Sequence, residues 1–130
     1  MKKEESNQQQ STERSAIVSL IKRFGWTFED WMQDWPLEIS KEVKIENCLN
    51  EYRWLSGEAE KVLLMKAILY ALEESADEER NKHLDQVTGL LEKDFKIHEA
   101  TIYYWTLYGS PDFEKFRITP RMLQIWDNKK

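Results

Sequence analysis

Apolar positions recur at helical spacing over most of the chain. Ala16, Ile17, Leu20, Ile21 and Phe24 mark one face of a helix over about 13–24. Gly25 follows as its stop, and Lys22 and Arg23 in the last turn complement the helix dipole. Before it, residues 1–12 have Met1 as their only apolar side chain, which predicts a disordered tail with nothing to bury.

The stretch 25–36 is the densest in aromatics, with three of the six tryptophans beside Phe28. Thr27 with Asp30 three places on reads as an N-cap box, and Pro36 as the end of a short helix between them. Phe28, Trp31, Met32 and Trp35 would share one face of that helix, with Glu29, Asp30 and Asp34 off it. Ser40 is placed to cap a third helix over about 41–55, with Ile45, Cys48, Leu49, Tyr52 and Leu55 on one face and Trp54 to the side. Ser56-Gly57 breaks the chain.

The fourth helix, about 58–74, differs in kind. From Val62 to Leu72 every residue but Lys66 is apolar or Tyr, so neighbours must cover it on several sides. It is the expected centre of the fold. Ser75 and Glu78 read as a second capping box, opening a charged surface helix over about 76–94 with Leu84, Val87, Leu91 and Phe95 as its stripe. The segment 97–108 is rich in β-branched and aromatic residues, which suits a strand that could pair with 112–119. Its apolar residues do not alternate cleanly, and Gly109 with Pro111 makes a good helix stop, so a helix over 98–108 is preferred. Thr119 and Pro120 then start a last short helix with Met122, Leu123, Ile125 and Trp126 on its apolar face.

The expected fold is therefore mainly α. It is a compact multi-helix bundle or a short solenoid-like helix stack, with a C-terminal β-hairpin over about 100–118 as the alternative for that segment. One helical domain spans 13–127, and 128–130 fray. Composition agrees: 41% hydrophobic and 33% charged residues suit a soluble domain, and four glycines with three prolines leave few sites for hairpin turns. Met1–Glu13 has no apolar core of a signal peptide, no segment is long enough to span a membrane, and a lone Cys48 suits a reducing compartment. A cytoplasmic location is expected.

Charge adds a direction to this picture. The total is −5 over 130 residues, but residues 26–60 carry −6 while 1–25 and 95–130 each carry +2. An acidic middle opposes phosphate-backbone binding and suits a basic protein partner.

Candidate chemistry is sparse. His83, His98 and Cys48 sit at no metal-ligand spacing, and the histidines read as surface or interface residues. Cys48 lies on an apolar stripe, as a small hydrophobe would. No glycine-rich loop offers backbone amides to a phosphate, and no serine lies in a nucleophile elbow. No cofactor, metal or catalytic residue is expected.

The function that fits is a small, acidic, non-enzymatic protein-binding module. Inhibitors and immunity proteins that neutralise basic toxins or nucleases share this physical logic. Its partner-binding residues would be Glu29, Asp30, Asp34, Trp35, Glu38, Glu42 and Glu46, with the aromatic face around Trp35 holding the fold or anchoring the partner. The alternative is a nucleic-acid-associated regulator. It would use the aromatic and basic C-terminal third: Tyr103, Tyr104, Trp105, Tyr108, Phe113, Lys115, Phe116, Arg117 and Arg121.

Overall fold

A computed structural model describes the backbone of residues 2–29, 34–108 and 116–130, with side chains from residue 13. Within these residues the chain is helical and contains no strand. Helix α1 is Lys2–Phe24, α2 is Trp35–Glu38, α3 is Ile45–Tyr52 and α4 is Glu58–Glu74. Helix α5 is Asp77–Lys93, α6 is Phe95–Thr106 and α7 is Thr119–Lys129.

Helix α4 is the centre. Leu63, Leu64, Met65, Ala67, Ile68, Leu69, Ala71 and Leu72 are all buried, so its apolar surface runs right round. It touches α1, α2, α3, α5 and α6, while α7 packs on α5 and α6. Glu58 and Glu60 in its first turn face the positive end of the helix dipole. Ser75 closes its far end by donating its hydroxyl to the Ala71 carbonyl at 2.7 Å.

The helix over 13–24 lies within α1, whose backbone is helical from Lys2 rather than from Glu13. Lys, Glu and Gln dominate its first turns and no breaker interrupts them. Ala16 and Leu20 are buried against the core. Gly25 ends the helix at φ 72°, donating its N–H to the Ile21 carbonyl at 2.7 Å.

The Trp-rich stretch departs from expectation. Residues 25–29 are not helical, so Thr27 caps nothing, and residues 30–33 lie outside the described part. Pro36 sits at the start of α2 instead of ending a helix. The physics is the same in both readings: proline lacks the N–H that an interior helical position needs, but a first turn does not. Likewise, the expected helix over 41–55 is broken into a 3-10 turn, Ser40–Glu42, and α3. Ser40 does not cap; its hydroxyl donates to Glu74 on α4 at 3.2 Å. The stripe itself is as expected, with Ile45, Cys48, Leu49, Tyr52 and Leu55 buried and Trp54 66% exposed.

The described residues of the C-terminal third are mainly helical. Helix α6 covers most of the segment that propensity assigned to a strand, and residues 117–118 turn directly into α7, so the β-hairpin is not formed among the described residues. Burial explains this outcome: His98, Thr101, Ile102 and Trp105 recur at helical spacing and pack inward together. The left-handed stop falls at Leu107, φ 62°, ahead of Gly109, which lies outside the described part. Neither Ser75 nor Thr119 caps the helix it was expected to open. Ala76, not Ser75, precedes α5 without a side-chain cap. The amides of Arg117 and Ile118 leading into α7 donate to the Glu73 carboxylate of α4 at 2.9 and 3.0 Å. A carboxylate from a distant helix thus anchors the residues before α7, while the first turn of α7 has no side-chain cap.

Candidate partner-binding face

The acidic segment is built on an aromatic pillar. Trp26 stacks on Phe24 with ring centroids 4.4 Å apart and leans on Trp35 at 5.8 Å. The Trp35 indole N–H donates to the Thr27 carbonyl at 2.8 Å. Thr27 in turn donates its N–H and its hydroxyl to one Glu42 oxygen, at 3.2 and 2.9 Å. These bonds tie the 25–29 loop to the 3-10 turn across fifteen residues.

The expected partner-binding residues divide accordingly. Trp35 is 3% exposed and Trp26 6%, so both hold the fold and neither is available to a partner. Glu42 is exposed but braces the loop through Thr27. Glu29, Asp34, Glu38 and Glu46 are exposed, and Asp34 accepts the Tyr70 hydroxyl at 3.3 Å. Asp30 lies outside the described residues, as do Trp31 and Met32. Phe28 and Leu37, at 42% and 41% exposure, add apolar surface to the same segment. Lys41 and Lys44 are exposed there too and dilute the negative charge.

Sequence reasoning missed a second arrangement. The Tyr52 hydroxyl lies 2.7 Å from Asp94 Oδ2 and 2.7 Å from His98 Nε2. The single phenol proton goes to the carboxylate, so Nε2–H donates to the phenol oxygen and Nδ1 carries the lone pair. Nδ1 is buried with no hydrogen-bond partner among the described residues. Burial holds the imidazole of His98 down at about 4, with nearby Lys61 adding to the effect and Asp94 opposing it. Burial and the bond to Asp94 raise the Tyr52 phenol. His98 is 0% exposed and Tyr52 2%, so no solute reaches the trio in this conformation, and its role is to pin α3 to the junction of α5 and α6.

The histidines, read from sequence as surface or interface residues, are instead buried inside the fold. His83 is buried as well, with Nε2 3.0 Å from Glu79. Their sequence signal was their register: His83, Val87 and Leu91 share a stripe on α5, and His98 shares one with Thr101, Ile102 and Trp105 on α6. Cys48 is buried and its thiol is pushed up to about 12 by desolvation, which disfavours the nucleophilic thiolate. No group of three donor side chains among the described residues could hold a metal ion. No helix among them is long and apolar enough to cross a membrane.

The aromatic C-terminal third is partly a core. Trp105 is 2% exposed and packs edge-on against Tyr70 and Phe116. Tyr103, Tyr104, Tyr108 and Phe116 remain exposed. Arg121 is held by Asp85 at 2.8 Å and Lys130 pairs with Glu99. Phe113 and Lys115 lie outside the described residues. Compared with family models, with curated proteins and with solved structures, the chain finds no significant match in any of the three.

Proposed function

We propose that this chain is a small, acidic, non-enzymatic protein-binding module that docks the face bearing Glu29, Asp34, Glu38 and Glu46 onto a basic protein. The observation that carries this reading is the pairing of those exposed carboxylates with exposed Phe28 and Leu37 on a segment braced by Trp26, Trp35 and Glu42. Carboxylates steer and select a basic surface, and apolar side chains among them supply desolvated contact. Holding such a face rigid before docking lowers the entropy lost on binding. Action is stoichiometric: the module covers a basic surface, as an inhibitor or immunity-type protein covers a toxin or nuclease. Trp35 supports the face from within, Glu42 braces it through Thr27, and the other acids meet the partner.

The nucleic-acid reading draws less support, because Trp105 of its aromatic set is buried and Arg121 is already paired with Asp85. Affinity capture with the full chain, followed by identification of what is bound, separates the two. The expected outcome is one basic protein at one-to-one stoichiometry, lost when Glu29, Asp34, Glu38 and Glu46 are changed together to Lys. Capture of nucleic acid with no protein partner overturns the proposal, as does capture that survives the charge reversal.

A further inference from the structure

Beside the acidic face, helices α4 and α6 leave a cleft of about 250 Å3 lined by Asp34, Lys66, Tyr70, Thr101, Tyr104 and Trp105. Its geometry follows from the helical repeat. Lys66 and Tyr70 are one turn apart on α4, and Thr101 is about one turn from Tyr104 and Trp105 on α6. Tyr70 meets Trp105 edge-on with centroids 5.2 Å apart, and its hydroxyl donates to Asp34. The aromatic rings and the carboxylate therefore share one end of the cleft. The backbone of Lys66 lies about 6 Å along α4 from that of Tyr70, the rise of four helical residues, and its side chain also lines the cleft. Tyr104 is 55% exposed, so its ring can be reached from solvent.

From this we infer that the cleft is a socket for one arginine side chain of the basic partner, with the guanidinium against exposed Tyr104 and paired to Asp34, and with buried Trp105 beneath them as the floor. The inference rests on the reading of a basic protein partner. Three observations support the choice of occupant. The volume is below the ~300–1,000 Å3 of pockets that enclose a whole small ligand, but a single long side chain fits. A planar guanidinium stacks on aromatic faces and pairs with a carboxylate at once, which an ammonium does less well. A carboxylate has about four acceptor sites, so Asp34 can accept from an incoming donor while holding Tyr70. Among the described lining residues Lys66 is the one group that opposes a cation, and it makes the socket testable.

The test uses the full chain, labelled with nitrogen-15, titrated with N-acetyl-arginine methylamide and with its neutral citrulline isostere. The expected result is a saturable shift of the Trp105 indole N–H with the arginine probe and none with citrulline. Asp34→Asn should weaken the probe by about tenfold, the scale of one charge-assisted hydrogen bond, and Lys66→Gln should tighten it. Asp34 is exposed, so its variant is expected to fold, and an unchanged thermal melt checks that. Equal binding of citrulline, no saturable shift, or weaker binding after Lys66→Gln overturns the inference. The probe needs no partner, so the two readings fail separately. Loss of partner capture on reversing Glu38 and Glu46, with capture unaffected by excess arginine probe, overturns the socket alone. Probe binding without capture of a basic protein overturns the module reading alone.

Discussion

At the residue scale, His98 carries the sharpest expectation. Its folded value of about 4 lies below the ordinary ~6.5 of an exposed histidine. Between those values the unfolded chain binds more protons than the folded one, so stability is full above about pH 6.5 and falls as pH drops towards 4. The difference corresponds to roughly 3 kcal/mol at the acid end of that window. Urea midpoints measured across it should slope in the native chain and slope less in His98→Gln, and an NMR titration of the ring should show it neutral at pH 5.5. An unchanged slope in the variant would sink this account. Tyr52→Phe probes the same trio from the other side. It removes the hydroxyl that meets both Asp94 and His98, leaves a buried imidazole unpaired, and should cost about 1–3 kcal/mol in denaturant unfolding. None of this was legible from residue identity, because a histidine is as ordinary at a surface as in a core. Register held the signal: Asp94 and His98 are one turn apart, and Tyr52 lies on an unbroken apolar stripe. What register could not give was the meeting of the two stripes across forty-six residues.

At the element scale, long periodic segments were readable and short ones were not. Helix α4 was visible because eleven consecutive residues from Val62 to Leu72 contain one charge, and burial on all sides is the only use for such a surface. The same argument fixes what it contributes. Ile68 is fully buried at the centre, and Ile68→Ala should cost about 2–5 kcal/mol in thermal or urea unfolding through lost burial and a cavity. Trp54→Ala, at the most exposed of the described tryptophans, should stay within ~0.5 kcal/mol despite removing a larger side chain. Equal effects of the two changes would mean α4 is not the core. Helix α6 was ambiguous from propensity, since β-branched and aromatic residues favour strands; its inward-facing stripe decided the matter in the fold. The Trp-rich stretch was misread because Thr27 and Pro36 each have two uses. Pro36 at a first turn leaves α2 only four residues long, and Thr27 spends its polar groups on Glu42. A capping residue marks a helix start only when no distant group takes its own polar atoms, as Glu42 takes the N–H and hydroxyl of Thr27.

At the scale of the whole molecule, charge distribution and fold act on different stages of binding. The −6 of residues 26–60 was plain in the sequence; which of its carboxylates face solvent was not, because that depends on how the loop is braced. The fold withdraws Trp35 and commits Glu42 to Thr27, leaving Glu29, Asp34, Glu38 and Glu46 as the other exposed members of the proposed binding residues among the described residues. Exposed rim charges act mainly on encounter, while groups buried at the contact govern escape. For the proposed basic partner, the association rate should therefore fall by about tenfold or more as the Debye length shrinks from ~30 Å at 0.01 M salt to ~8 Å at 0.15 M. Reversing Glu29, Glu38 and Glu46 should lower the association rate and flatten that salt dependence with little change in dissociation. Tyr104→Ala should do the opposite, speeding dissociation and leaving the salt dependence of association intact, because it removes contact without removing charge. Surface plasmon resonance at several salt concentrations reads both rates on the same variants. If the acid reversals changed only dissociation, the carboxylates would lie within the contact and not around it. The docking face would then have to centre on α2 itself, with exposed Leu37 as its apolar anchor.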